Sequence, residues 1–147
     1  MPEFNPQNPE YEKAIRESFE KQRLMQTFGA MLVSIALGEV VIELPKREDL
    51  TQQHGYLHAG VITAVIDSAC GYAALSLMPP DNEVLSAEYK INLLSPADGE
   101  KLIAKGLVIK PGRKLYVCRG EAYSVKDGME KHVAAFQGTM VAARNRG

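Results

Sequence analysis

The stretch HGYLHAGVITAVIDSACGYAALSLM, residues 54–78, reads as a helix that is apolar on almost every side and holds one carboxylate, Asp67, near its middle. Val61, Ile62, Val65, Ile66, Ala69, Tyr72 and Leu75 cover most of its circumference. A helix lying on one face of a sheet keeps a polar outer stripe, so a helix with almost none must meet protein on most sides. The stretch approaches the roughly 20 residues a bilayer requires. Against a membrane span stand the mid-helix Asp67, the absence of a flanking Lys/Arg cluster, and a following chain that alternates like a sheet. A helix buried inside a soluble domain is the expectation.

The flanking sequence supplies what surrounds the helix. Pro79-Pro80-Asp81-Asn82 stops it and turns the chain. In residues 84–94, Leu85, Ala87, Tyr89, Ile91 and Leu93 alternate with Ser86, Glu88, Lys90 and Asn92, the period of a half-buried strand. Asp98-Gly99, Pro111-Gly112 and Asp127-Gly128 then punctuate runs 100–110, 114–126 and 130–143, which predicts an antiparallel meander. Upstream, Asn8-Pro9-Glu10 resembles a helix start, with Asn at the N-cap and Pro at the first helical position, and the helix is expected to run to about residue 27. Runs 31–37 and 39–44, parted by Gly38 and ended by Pro45, read as a strand pair or one bent strand, and residues 46–54 as a loop. The predicted class is α+β: a curved antiparallel sheet wrapped around a long central helix, with an additional N-terminal helix over about residues 9–27. With no linker or internal repeat, one domain is expected over residues 1–147.

Composition narrows the function. The chain is 46% apolar with a formal net charge of -1, and no basic run with interleaved aromatics marks a nucleic-acid binder. The opening MPEFNPQNPEYEK lacks a basic segment followed by an apolar one, so a cytoplasmic location is expected. Cys70 and Cys118 lack metal-ligand spacing and read as reduced, packed small hydrophobes.

Gly60, Thr63, Asp67 and Gly71 recur at helical spacing and line one face, which leaves room beside the carboxylate for a substrate. A poorly solvated carboxylate without a charge partner has a raised pKa, useful for general-base work. The structural alternative is an Asp bonded to a neighbouring turn or paired with Lys90 or Arg119. His54-Gly55-Tyr56-Leu57-His58-Ala59-Gly60 meanwhile brings small residues and histidines to the helix N-terminus, where free N–H groups favour negative charge. Such amides can stabilise the oxyanion of a tetrahedral intermediate. Asp67 stands roughly 11–13 Å along the axis from that N-terminus, at 1.5 Å per residue, so one helix does not put both parts on one carbonyl. Two copies related by a two-fold axis do, which predicts a homodimer.

His58-Ala59-Gly60 followed by Asp67 and Gly71 resembles the HGG…D…G signature of the phenylacetate-pathway-type (PaaI-like) hotdog-fold acyl-CoA thioesterases. The likeness continues through VLSAEYKINLLSPADGEKLIAKGLVIKPGRKLYVCRGEAYSVKDG and spans about residues 28–142. The resemblance implies a hotdog fold, dimers whose sheets join, and commonly tetramers. It implies an acyl-CoA substrate, with CoA as part of the substrate and no other cofactor or metal. Asp67 falls on the family's catalytic aspartate, as general base or nucleophile, and Ala59 on the residue whose amide forms the oxyanion hole, beside His58. Ser86 falls on a serine that positions water or the carboxylate, and Gln52 on the family's asparagine, with His54 as the alternative for that role. Ala59 stands where the signature has its first glycine, and Gln52 is one methylene longer than asparagine. Lys110, Arg113 and Lys114 are candidates for the CoA phosphates, and Tyr72 and Phe28 for the acyl group. Two rivals remain: an enoyl-CoA hydratase, disfavoured because no histidine follows Asp67 until His132, and a non-catalytic acyl-CoA-binding protein.

Overall fold

The structure, a computed structural model, describes residues 3–144; Met1, Pro2 and residues 145–147 of the expected 1–147 domain lie outside the described residues. The chain forms α1 (Tyr11–Lys21), α2 (Arg23–Phe28), β1 (Met31–Ala36), β2 (Glu39–Pro45), a 3-10 turn (Glu48–Leu50), α3 (Ala59–Leu75), β3 (Asn82–Leu93), β4 (Lys101–Pro111), β5 (Leu115–Lys126) and β6 (Met129–Arg144). The strands make one six-stranded sheet in the order β1-β2-β4-β5-β6-β3, antiparallel throughout. The meander predicted from the three turn signals is β4, β5 and β6.

α3 packs against β2, β3, β4, β5 and β6, which is why it is apolar nearly all round. Val65, Ile66, Ala69, Cys70, Ala73 and Ala74 are fully buried against Ile42, Leu44, Leu102, Ala104 and Cys118 of the sheet. Two glycines let the sheet approach so closely. Gly106 and Gly120 face each other across β4 and β5. A Cβ on Gly106 would meet the Ala69 carbonyl carbon at 2.3 Å, and one on Gly120 would meet Ile66 Cγ2 at 2.3 Å. The missing side chains form the trough in which α3 lies. Both cysteines are free and buried, and burial pushes their thiols up, Cys118 to about 12, which removes them as nucleophiles.

The structure corrects three local expectations. The N-terminal helix is two helices: Gln22 leaves the helical region (φ -81, ψ 97) between α1 and α2. Its start falls later than Pro9, because Asn8 Oδ1 accepts from the Glu10 amide at 3.0 Å and holds residues 8–10 in a turn. The central helix starts at Ala59, with His58 as N-cap, so residues 54–58 belong to the preceding loop.

The third correction concerns β3. The pairing with β6 slips between Ser86 and Glu88, a β-bulge. Before the bulge Val84 and Ser86 pair with Ala142 and Met140; after it Tyr89 and Ile91 pair with Gly138 and Phe136, all on the helix-facing side of β6. The inward face therefore changes from even to odd residues within one strand. Ser86, which strict alternation places outward, points at α3, and Leu85 is turned away with 59% of its surface exposed. β3 is also an edge strand, so Tyr89 (45%) and Leu93 (52%) remain accessible where a central strand would hide them.

Candidate active site

Asp67 sits on α3 at the wall of a cleft of about 370 Å³ lined by Ser18, Lys21, Gln22, Ser68, Gly71, Tyr72, Val84 and Ser86. The Ser86 hydroxyl donates to Asp67 Oδ1 at 2.6 Å and also lies 3.4 Å from Met140 Sδ. No cation approaches the carboxylate among the described residues: the salt bridges are Arg47–Asp49, Lys101–Glu43 and Lys131–Asp98. The expected alternatives of Lys90 or Arg119 as partner are therefore not realised. Removal from water raises the Asp67 pKa, and the Ser86 hydrogen bond, which favours the ionised form, opposes this only in part. The result is a half-buried carboxylate more basic than usual, with one oxygen fixed and the cleft beside it open because Gly71 has no side chain.

A second cleft, of about 340 Å³, lies at the other end of α3 and is lined by Gln52, Tyr56, Leu57, Ala59, Ile62, Leu93, Leu94 and the 95–97 turn. The helix start leaves one amide for it. The Val61 and Ile62 amides donate to the His58 carbonyl at 3.0 and 3.2 Å, and the Gly60 amide donates to His58 Nδ1 at 2.8 Å. Among the described residues the Ala59 amide has no acceptor, which makes it the donor available to an anion there. His58 is thus a capping residue, its Nδ1 occupied as an acceptor. Ala59 lies in the ordinary negative-φ region, since the non-glycine residues with positive φ are Asp81 and Asp127, and the signature's glycine is not needed for backbone shape here. Gln52 folds its carboxamide onto its own loop, Oε1 accepting from the His54 amide at 2.5 Å and the Tyr56 amide at 3.4 Å.

The other sequence candidates divide. Gly71 and Tyr72 reach the Asp67 cleft and Gln52 the Ala59 cleft. Thr63 lines neither, its hydroxyl donating back to the Ala59 carbonyl at 2.8 Å, and His54 is exposed outside both. Phe28 packs on the core rather than in a cleft. Lys110, Arg113 and Lys114 are exposed on the β4–β5 turn and line neither cleft; the turn reaches the Ser86 end of the sheet, where the Ala142 amide donates to the Lys114 carbonyl and Ala142 pairs with Val84. Sequence reasoning missed Ser18, Gln22 and Ser68. Ser18 comes from α1 and Gln22 from a helix break that carries no Gly or Pro, and Ser68 looked like one small polar residue among several.

Comparison with known proteins agrees with this architecture. The family model described as the thioesterase superfamily matches residues 54–131, from the loop before α3 to the start of β6. A solved thioesterase family protein from Silicibacter pomeroyi superposes with a TM-score of 0.90 at 44% identity, covering 91% of this chain and 98% of that one. The E. coli PaaI protein from the phenylacetic acid degradation operon shares the fold, with a TM-score of 0.81 at 21% identity over 91% of this chain and 94% of that one. A 1,4-dihydroxy-2-naphthoyl-CoA hydrolase from Listeria monocytogenes is 27% identical over 84% of this chain and 98% of its own length. A helix clasped by a six-stranded antiparallel sheet is the hotdog fold, and this chain belongs to the thioesterase superfamily as a thioester hydrolase.

Proposed function

We infer that the protein hydrolyses acyl-CoA thioesters in the cytoplasm as a homodimer, or a tetramer of such dimers, with two composite sites per dimer. The observation that carries this reading is the separation of Asp67 and the Ala59 amide into two clefts that meet opposite ends of one exposed edge strand. Val84 and Ser86 line the Asp67 cleft, and Leu93 lines the Ala59 cleft. If two β3 edges pair antiparallel about an axis at Lys90, with Ala87 the extra residue of the bulge, Ser86 comes opposite Leu93 of the partner subunit, and the clefts join. The exposed Tyr89 and Leu93 are then covered by the same contact.

In the joined site the thioester carbonyl oxygen accepts from the Ala59 amide of one subunit while Asp67 of the other faces the carbonyl carbon. Asp67 removes a proton from water as it attacks, or attacks the carbon itself; the tetrahedral oxyanion is held by the amide, and its collapse expels the CoA thiolate. The first route leaves the carboxylic acid, and the second an acyl–Asp67 anhydride that water then hydrolyses to the acid and free Asp67. Ser86 positions the carboxylate so that its second oxygen faces the cleft. CoA as the carrier is supported by the likeness to a CoA thioester hydrolase. An enoyl-CoA hydratase needs an acid beside the carboxylate, and no histidine lines the Asp67 cleft.

The test uses two variants. Asp67→Asn removes the base, and Ala59→Pro removes the amide hydrogen at the first helical position, where the backbone accommodates proline. Each homodimer is expected to be at least a hundredfold slower in thiol release across acetyl-, medium-chain, long-chain and aryl-CoA thioesters. Co-refolding the two restores about a quarter of wild-type activity, because half of the dimers are mixed and each has one intact site. No recovery on mixing, with sedimentation showing dimers, refutes the shared site; wild-type rates in Asp67→Asn refute the chemistry.

A further inference from the structure

The Asp67 cleft has a wall that hydrolysis does not use. At the break between α1 and α2 the Gln22 carboxamide reaches α3: its Nε2 donates to the Tyr72 hydroxyl at 2.8 Å, and its Oε1 accepts from the Ser68 hydroxyl at 2.9 Å. The Ser18 hydroxyl donates to the Tyr72 oxygen at 3.3 Å. Phe19 packs edge-on against the Tyr72 ring, with centroids 6.0 Å apart, and fixes it. All four polar residues line the cleft, with Lys21 at its edge.

An inventory of hydrogens shows what the wall offers. Ser18, Ser68 and Tyr72 carry one hydroxyl hydrogen each and Gln22 two amide hydrogens. Three of these five are used in the bonds just described, which leaves the Tyr72 hydroxyl hydrogen and one Gln22 amide hydrogen without an acceptor among the described residues. A partly buried surface with surplus donors disfavours an alkyl chain, which would strip water from them and return nothing, and favours a group that accepts.

Resting on the hydrolase reading above, we propose that Gln22 and Tyr72 are specificity determinants, and that the cleft selects a short acyl group bearing an acceptor oxygen (hydroxyl, keto or ether) at the end remote from the thioester. Tyr72 is five residues beyond Asp67, about 7.5 Å along the helix axis, which gives the length scale of the acyl group. That corresponds to about six bonds of roughly 1.5 Å in a zigzag chain. The volume of about 370 Å³ lies near the lower end of small-molecule sites, about 300–1,000 Å³, which sets the upper bound on acyl size.

The test compares hexanoyl-CoA with ω-hydroxyhexanoyl-CoA in wild type, Gln22→Leu and Tyr72→Phe. Wild type is expected to prefer the hydroxylated thioester by about tenfold in kcat/KM, and the ratio to fall to about one in each variant. Circular dichroism and Tm establish that the variants are folded, and Tyr72→Phe keeps the contact with Phe19. Equal kcat/KM for the two thioesters in wild type, or a preference that survives in both variants, overturns the inference and leaves hydrolysis standing. If wild type hydrolyses neither, the proposed activity fails, and the ratio of Kd values for the same pair, measured by calorimetry, decides: a tenfold preference lost in Gln22→Leu supports the wall's role, and equal Kd overturns it.

Discussion

Replacing Gly106 by alanine joins the fold to the site through a single methyl group. The added Cβ would lie 2.3 Å from the Ala69 carbonyl carbon, 2.4 Å from its oxygen and 2.5 Å from the Cys70 amide nitrogen. All three are backbone atoms of a helix that cannot yield by changing a rotamer. Ordinary contact starts at about 3.4 Å, so α3 and β4 must part by about 1 Å. Overpacking of this kind costs about 3 kcal/mol, at the upper end of the range for an inserted methylene because nothing flexible absorbs it. At about 3 °C per kcal/mol for a chain of this length, Tm falls by about 9 °C. Asp67 precedes Ala69 by two residues on the displaced helix, whereas Ser86 is held by β6, so the 2.6 Å bond between them lengthens. A displacement of about 1 Å in a catalytic group costs about a hundredfold. The measurements are a thermal melt and kcat/KM well below the melting range, with Gly128→Ala as control, a turn position where an added Cβ meets nothing within 4 Å. The control loses a little stability to its positive φ but no activity. A Gly106→Ala protein with Tm within 2 °C of wild type and unchanged kcat/KM would refute the claim that the glycine trough sets the position of Asp67.

Further expectations concern the carboxylate and its neighbours. Because burial raises the Asp67 pKa in the folded state, the folded protein binds more protons than the unfolded chain; stability from this group is fully present below the ordinary aspartate range and is lost as pH rises through the folded pKa. Asp67→Asn should therefore gain stability relative to wild type as pH rises from about 3 to 7, read by denaturant melts, and a variant equally or less favoured at neutral pH contradicts this. Ser86→Ala removes the bond that holds the Asp67 pKa down, so the acid limb of kcat/KM should move to higher pH; an unmoved limb would show that the titrating group lies elsewhere. Gly71→Ala should raise Tm by about 3 °C through about 1 kcal/mol of helix propensity, because the new Cβ meets Val84 Cγ1 at an ordinary 3.7 Å. It should also lower kcat/KM more for bulky acyl groups than for acetyl-CoA; a uniform effect would mean that Gly71 leaves no space used by the acyl group.

The parts of this structure legible in the sequence are those governed by local chemistry. The apolar circumference of α3 announced a wrapped helix, and Asp-Gly and Pro-Gly pairs announced the β4–β5–β6 meander. Spacing along one helix also separated Asp67 from Ala59, because the rise per residue is fixed. Long-range relations were not legible. Whether a strand is an edge or central depends on which neighbours it pairs with, so the exposure of Tyr89 and Leu93 could not be read from their alternation. The break at Gln22 has no Gly or Pro to mark it and coincides with the long-range bonds of its side chain to Ser68 and Tyr72 of α3. Ser86 was named through resemblance alone, while its own strand pattern placed it outward.

The bulge in β3 divides one strand into two stretches of opposite parity. Up to Ser86, even positions reach the helix and serve the cleft; beyond Glu88, odd positions do, and serve packing against Phe136 and Gly138. Within each stretch a substitution alters one side chain. A single insertion or deletion near Ala87 instead exchanges the inner and outer faces of a whole stretch, removing Ser86 from Asp67 or Tyr89 from Phe136 at one stroke. The extra residue thus acts as a frame marker: sequence on either side can drift freely, but the count between them is held by two separate requirements, one chemical and one structural.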